Sequence, residues 1–208
     1  MAANKRTLVR FNIKNLKYAM KNENDTYETP KPLAFANSLS LEADFNEVKI
    51  YGDGQVIAIL PDDKGFTGTL SVTDISPDYE IDCGRAKLIQ GGIADIQQLS
   101  SKEHALYYEL DASENGTKFV IKTWLFGVFS GKPSESYQQS QDDPSVNFYD
   151  YPINVVGTTL MDASGTEEFT DENGNTFKVT RLSSFPDDPG YDTFGNAVPI
   201  PKEVEEIE

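Results

Sequence analysis

The chain has 208 residues, with 34 acidic and 18 basic side chains and a formal net charge of −16. A charge this negative repels nucleic acids and anionic membranes, so it disfavours a protein whose task is to hold DNA or RNA. One cysteine and one histidine exclude a disulfide framework within the chain and metal sites built from several Cys and His ligands. No long apolar run is present, so no membrane-spanning helix is predicted.

The charge is unevenly distributed along the chain. Residues 1–20 hold five bases and no acid, whereas residues 161–208 hold twelve acids and three bases. Opposite charges near two ends of one chain suit head-to-tail packing between copies. A solvated arrangement without a partner is the alternative interpretation.

Period-two alternation of apolar and polar residues predicts an all-β protein with one short helix. In residues 38–45 apolar side chains alternate with serine, glutamate and aspartate. In residues 66–74 apolar side chains alternate with threonine and serine. Each segment therefore predicts a strand with one face in water. Between them, Asp53-Gly54 is a candidate hairpin turn, with a flexible loop as the alternative because Gly52 and Pro61 flank it.

The helix signal follows these strands. Ser76 is a good N-cap, Pro77 suits the first helical position and Gly84 can end the helix. Tyr79 and Cys83 are four residues apart and are expected to be buried together. Cys83 is therefore interpreted as a small core residue rather than a reactive thiol.

Two Asn-Gly dipeptides predict further hairpins in the second half of the chain. Asn115-Gly116 and Asn173-Gly174 both favour the type I′ turn, which needs positive φ at two successive positions. After Phe185 the sequence becomes proline-rich and acidic, which predicts an extended tail rather than a domain.

No pattern in the sequence points to catalysis. His104 lies at the head of a predicted strand without a nucleophile elbow elsewhere, so we expect a surface histidine. Phosphate-binding glycine loops are absent, and the oxygen-rich residues 171–175 place Gly174 at the wrong position for a calcium loop. The sequence therefore predicts no catalytic, cofactor-binding or metal-binding residues and no cofactor.

Adjacent acids are the remaining candidates for chemistry. Glycosidases use two carboxyl groups across a sugar, and Asp62-Asp63, Asp142-Asp143 and Asp187-Asp188 are such pairs. All three lie in proline- or glycine-flanked contexts, where acids usually form solvated turns. Aromatic residues between 107 and 151 could form a carbohydrate platform, but such residues more often fill a β core.

The order of several segments carries a family resemblance. They are IKNLKYAM, YETPKPLAFANSLSLEADF, KIYGDGQV, GFTGTLSVTDISPDYEIDCG, the strand pair around KTWLFGVFS, and the stretch from PSESYQQS to VNFYDYPINVVGTTL. In this order they resemble the major tail protein, the tail-tube subunit, of long-tailed bacteriophages (siphophages). The resemblance covers about residues 8–160, and residues 161–208 depart from it.

The resemblance implies an all-β tail-tube fold, a β-sandwich or β-barrel with one short flanking helix, an extended loop and a C-terminal extension. Residues 1–160 would form the β-sandwich domain, residues 161–185 a C-terminal β-hairpin extension and residues 186–208 an extended acidic tail. It also implies a structural virion protein without enzymatic activity, which polymerises as stacked hexameric rings into the conduit for DNA ejection.

The implied partners are other copies of the chain, a tape measure protein in the lumen, and tail terminator and distal tail proteins at the two ends. DNA would pass through without specific binding, and no membrane insertion is implied. Assembly would take place in the host cytoplasm, and the assembled protein would belong to the virion.

Two groups of residues are assigned on this basis. Small polar or acidic side chains suit a bore, because lysine or arginine would bind phosphates and hold the DNA. The residues expected to face the lumen are Ser40, Glu42, Asp44, Thr69 and Ser71. The residues expected to contact neighbouring subunits or rings are Arg6, Arg10, Lys14, Lys17, Tyr51, Asp53 and Gln55.

Two alternatives remain open. A distal tail or tail-completion protein shares the fold of a tube subunit but forms one terminal ring. A carbohydrate-binding β-sandwich module would use the aromatic residues and the 171–175 segment as its site.

Overall fold

A computed structural model describes residues 8–97, 101–137, 146–171 and 174–203. These residues form twelve strands, one α-helix and one 3₁₀ helix. The strands are β1 (Leu8–Met20), β2 (Lys31–Pro32), β3 (Ala36–Gly52), β4 (Gln55–Val72), β5 (Ala86–Ile89), β6 (Gly92–Asp95), β7 (His104–Glu114), β8 (Thr117–Ser130), β9 (Tyr149–Val155), β10 (Thr158–Thr159), β11 (Lys178–Val179) and β12 (Arg181–Ser184). Helix α1 spans Pro77–Asp82 and the 3₁₀ helix spans Tyr191–Thr193.

One antiparallel sheet dominates the fold. Its strand order is β2-β1-β7-β8-β9-β4-β3, and β12 also pairs with β8. The two neighbours β9 and β12 share one edge of β8, β9 at Val128–Ser130 and β12 at Lys122–Leu125. The strands diverge at Gly127, whose φ is +60° and whose added Cβ would lie 2.3 Å from the Gly157 carbonyl oxygen. The predicted all-β, sandwich-like fold is confirmed.

The sheet is curved but not closed. Strands β1 and β3 approach each other, yet no backbone ladder joins them among the described residues. Of the two forms predicted, the sandwich is therefore the one observed, and the barrel is not completed within one chain.

Two apolar clusters form the core. The larger lies on the concave side of the sheet, where β1, β4, β7, β8 and β9 contribute residues such as Leu70, Leu106 and Val155. The smaller surrounds Trp124, which packs with Tyr107 and Phe126. Most of the predicted aromatic residues of the 107–126 region thus fill the core.

Helix α1 follows the prediction closely. Ser76 is the N-cap residue, although its side chain makes no capping hydrogen bond, and Pro77 occupies the first turn. Gly84 follows the helix with φ +74°. Tyr79 and Cys83 are both buried, and burial raises the pKa of the Cys83 thiol, which fits a core residue.

Two of the three candidate turns lie wholly within the described residues, and both form hairpins. Asn115 and Gly116 have φ values of +50° and +86° and join β7 to β8. Asp53 and Gly54 have φ values of +51° and +78° and join β3 to β4, so the flexible-loop alternative is wrong. Asn173 lies outside the described residues.

The region after Phe185 differs from the expected extended tail. Residues 185–203 lie back on the sheet, where the Trp124 Nε1 donates a hydrogen bond of 2.8 Å to the Phe194 carbonyl oxygen and the Tyr191 hydroxyl donates one of 2.9 Å to Val120 O. Phe194 and Val198 pack against the smaller cluster. Its apolar contacts give this segment a fixed place that its proline content did not predict.

Candidate assembly surfaces

The most prominent surface is the outer half of the β3–β4 hairpin, here named the distal hairpin (Phe45–Gly52 and Gln55–Asp63). Strand β9 pairs with β4 only from Phe66 to Val72, so the distal hairpin has no further strand beside it among the described residues. A register shift between Ala43 and Phe45 separates it from the part that covers the core. Eight large apolar side chains on it are exposed: Phe45, Val48, Ile50, Tyr51, Val56, Ile57, Ile59 and Leu60.

The strand register places four of the exposed aliphatic residues on one face, whereas Ile59 and Val56 lie on the other. Val48 lies opposite Leu60, and Ile50 lies opposite Ala58, and directly opposed residues share a face. Ile57 belongs to the same face, because a Cβ on Gly52 would lie 3.3 Å from its side chain. An exposed aliphatic strand face of this kind is typical of a surface that another molecule covers.

Three of the predicted contact residues lie at the tip of the distal hairpin. Tyr51 is 66% exposed, and Asp53 and Gln55 are exposed beside it. The structure therefore leaves all three accessible to a neighbouring molecule.

A second surface is the polar outer face of β3, β4 and β9. Ser40 lies opposite Thr69, Glu42 lies opposite Thr67, and Thr67 in turn lies opposite Asn154 of β9. All five side chains are exposed. This polar face carries no lysine or arginine at these positions, so it offers phosphates no cationic partner.

Two predicted lumen residues are placed differently from the rest of the polar face. Ser71 was expected to face water, but it is 5% exposed, and its hydroxyl lies 3.3 Å from Asn37 Nδ2, a hydrogen-bond donor. The expectation is wrong for Ser71 in the single chain, where the Asn37 side chain lies against its hydroxyl. Asp44 is half-buried at the register shift after Ala43.

The basic residues of the amino end are partly used within the chain. Lys14 forms an ion pair with Asp111, which raises the pKa of Lys14 and lowers that of Asp111. Lys17 donates a hydrogen bond of 2.8 Å to the Gly195 carbonyl oxygen and lies over the Tyr107 ring. Arg10 is exposed, and Arg6 lies outside the described residues.

A small hairpin formed by β5 and β6 is a third surface and the second exposed apolar region. Leu88 lies opposite Ile93, and they are exposed by 71% and 47%. This region was not predicted as a surface, although the apolar residues on both sides of Gly91-Gly92 are a signal for it in the sequence. Phe35, in the loop before β3, is also almost fully exposed.

A buried polar network joins helix α1 to the sheet. Arg85 Nε and Nη2 donate hydrogen bonds of 2.8 and 2.9 Å to the two carboxylate oxygens of Glu80. Its Nη1 donates to the Ser130 carbonyl oxygen and hydroxyl at 3.0 and 2.7 Å. The Tyr151 hydroxyl donates to Glu80 Oε1 at 2.8 Å. Sequence reasoning missed this network because arginine and glutamate are rarely buried and no local pattern marks the exception.

His104 belongs to the same network, so the expectation of a surface histidine is wrong. It is fully buried, and its Nε2 lies 2.9 Å from the Tyr79 hydroxyl. Burial lowers the pKa of His104 to about 4. The imidazole is thus neutral near neutral pH and is enclosed by β7, β8 and α1 without access to a substrate.

The described residues contain no group of three or more His, Cys, Asp and Glu side chains placed to hold a metal ion. None of the helices in the described part of the chain is long and apolar enough to cross a membrane. The acidic pair Asp142-Asp143 lies outside the described residues, and Asp62 is ion-paired with Lys64.

Comparisons with known proteins give similarity to solved structures. No protein-family model matches the chain, and no curated protein matches it. Among solved structures, the chain is similar to a chain of the cryo-EM structure of the anti-feeding prophage (AFP) baseplate, 6-fold symmetrised. The identity is 12%, the TM-score is 0.38, and the match covers 74% of this chain and 93% of that one. Values this low do not support transfer of residues or of function.

Proposed function

We propose that this chain is a structural subunit of a phage tail, in which copies stack as hexameric rings into the tube that conducts DNA during ejection. The observation that carries the proposal is the distal hairpin, which extends an aliphatic strand face into solvent. The family resemblance of residues 8–160 agrees with this role.

Covering the aliphatic face is energetically favourable. The side chains of its four aliphatic residues are between 40% and 67% exposed in the single chain: Val48, Ile50, Ile57 and Leu60. Complete burial of such a side chain contributes about 1.5–3 kcal/mol relative to full exposure, so each of these contributes about 1 kcal/mol when a partner covers it. The distal hairpin therefore supplies a binding surface of several kcal/mol before the cost of association is subtracted.

Another copy of the chain is the proposed partner. The distal hairpin and the exposed β5–β6 hairpin are two different apolar surfaces of one chain. Contact between different surfaces of identical subunits generates closed rings or open, repeating assemblies. The unpaired edges of β1 and β3 would add strand pairing between neighbours, which also removes exposed sheet edges.

The polar face is the proposed bore surface. Ser40, Glu42 and Thr69 are exposed there, and the absence of cations at these positions limits phosphate binding. In such an assembly a tape measure protein would occupy the lumen, tail terminator and distal tail proteins would cap the ends, and DNA would pass without specific binding.

Electron microscopy with matched variants tests the proposal. We expect hollow tubes or stacked rings of the native chain in negative stain, and loss of assembly in the double variant Ile57→Gln and Leu60→Gln. The control is Ile200→Gln, which makes the same change at an exposed position outside the hairpins. Circular dichroism of each variant verifies the fold.

The outcomes separate the alternatives. Native protein that stays monomeric at every protein and salt concentration contradicts the proposal, as do tubes that form equally well from the double variant. Single rings that never stack favour a distal tail or tail-completion protein.

A further inference from the structure

A groove opens between the first half of β1 and the first half of β3, at the unclosed side of the sheet. Its volume is about 680 Å³. Apolar residues form much of its wall, and two arginines and several polar residues complete it: Arg10, Phe11, Asn12, Ile13, Ala36, Asn37, Ser38, Leu39, Leu41, Tyr108, Leu110 and Arg181. The groove is distinct from the distal hairpin and from the polar face.

Two guanidinium groups converge on this groove. Arg10 lies opposite the buried Ala112, which places its side chain on the concave side of the sheet. Arg181 lies over the Phe66 ring at 5.2 Å from the centroid. Burial raises the pKa of the Tyr108 phenol, and the charges of Arg181 and Arg10 both oppose that rise. Both arginines are therefore close to the phenol at the floor of the groove.

The two arginines have no carboxylate partner among the described residues. Ion pairs between described residues involve Lys14, Lys21, Lys31, Lys64 and Arg85, but neither Arg10 nor Arg181. In a chain with 34 acidic side chains, two converging arginines without such a partner mark a place for an anion from outside.

The walls of the groove also offer backbone hydrogen bonds. Strand β1 pairs with β2 only at Lys17 and Tyr18, and β3 pairs with β4 alone in the described part of the chain. The N–H and C=O groups on the outer edges of these strands are therefore accessible to an extended segment, as in β-strand addition.

We propose that this groove binds an extended acidic segment of a second copy, residues 203–208 (Glu-Val-Glu-Glu-Ile-Glu). This segment holds four acidic side chains in six residues, so its carboxylates complement Arg10 and Arg181. Its valine and isoleucine complement the apolar wall around Leu39 and Leu41. The inference goes beyond the proposed function and does not depend on it, since any self-associating protein could use this contact.

Peptide binding tests the inference without requiring assembly. The probe is a fluorescein-labelled peptide of residues 202–208, and the acceptor is the full chain carrying Glu203→Gln, Glu205→Gln, Glu206→Gln and Glu208→Gln, so that its own segment does not compete. We expect saturable binding by fluorescence anisotropy, weakened by added salt. Adding Arg10→Gln or Arg181→Gln to the acceptor weakens binding about tenfold, as expected for a lost charge-assisted hydrogen bond.

Two controls make the result specific. Lys87→Gln removes the same charge at an exposed position on β5 and leaves binding unchanged, and a peptide with all glutamates changed to glutamine does not bind. Unchanged Trp124 fluorescence verifies the fold of the Arg181→Gln variant, and Arg10→Gln alters an exposed residue.

The contrary results are equally clear. Absence of saturable binding, or equal weakening by Lys87→Gln, overturns the groove as the site. If the native chain excludes the peptide even when very dilute, its own segment fills the groove and the assignment to a second copy is wrong. Tubes in the microscope with no peptide binding would contradict this inference alone.

Discussion

Replacement of Arg85 by methionine is expected to destabilise the fold strongly. Arg85 is fully buried and makes four hydrogen bonds, two to Glu80 and two to Ser130. Its guanidinium also lies 4.9 Å from the Tyr79 ring centroid and 5.4 Å from that of Tyr151. The substitution leaves the carboxylate of Glu80, itself 6% exposed, without its cation.

The expected loss follows from that unpaired charge. Removing one partner of a buried ion pair costs about 3–5 kcal/mol. For a chain of this size each kcal/mol lowers Tm by about 2–4 °C, so we expect Tm to fall by about 6–20 °C. Urea unfolding followed by fluorescence of Trp124, the one tryptophan of the chain, measures the free energy of unfolding.

A second substitution tests the physical reason. In the double variant Arg85→Met and Glu80→Leu neither charge remains buried, so the double variant is expected to be more stable than Arg85→Met alone. The explanation fails if Arg85→Met loses less than about 1 kcal/mol, or if the losses of the two single variants simply add. Either result would mean that the buried polar network does not stabilise the packing of α1 against β8 and β9.

Three further predictions concern pH, backbone and salt. His104 has a folded pKa of about 4, below the unfolded value of about 6.5. Its contribution to the free energy of unfolding is therefore fully present above pH 6.5 and falls by about 3 kcal/mol as the pH drops to 4. In urea unfolding, the native protein and His104→Gln should differ in how steeply the free energy of unfolding falls between these pH values. Gly116→Ala is expected to cost about 1 kcal/mol in urea unfolding, because φ is +86° and the added methyl meets no atom within 4 Å. If the chain polymerises as proposed, low ionic strength slows polymerisation, because each subunit carries a net charge of −16 and salt screens the repulsion. Polymerisation rates, measured by light scattering, that do not change with salt concentration would contradict this.

Much of the fold follows from local patterns. The alternation in residues 38–45 and 66–74 predicted β3 and β4, and Asn115-Gly116 placed the β7–β8 hairpin. Ser76, Pro77 and Gly84 bounded α1. These features succeed because a strand face, a type I′ turn and a helix start each depend on residues that are adjacent in sequence.

Features that depend on distant residues were not predictable. His104 and Arg85 are buried because Tyr79, Ser130 and Glu80 supply their hydrogen bonds, and no local pattern reveals such partners. Ser71 is covered for the same kind of reason. The location of residues 185–203 depends on contacts with β7 and β8 that proline content alone does not encode.

Of the candidate site, the sequence predicted the exposed Tyr51, Asp53 and Gln55 and most of the polar face. It did not predict the aliphatic face of the distal hairpin, because the side of Ile57 depends on the register shift between Ile50 and Tyr51. A shift of one residue reverses which side chains share a face. It also did not reveal that Lys14 and Lys17 are used within the chain.

The cover that residues 194–198 place over Trp124 has a consequence for synthesis. During translation the chain emerges from its amino end, so the distal hairpin leaves the ribosome well before Phe194 and Val198 can seal the smaller cluster. During that interval a nascent chain exposes both the aliphatic face of the distal hairpin and the smaller apolar cluster around Trp124. A nascent chain therefore exposes the most apolar surface to its neighbours before residues 194–198 have left the ribosome.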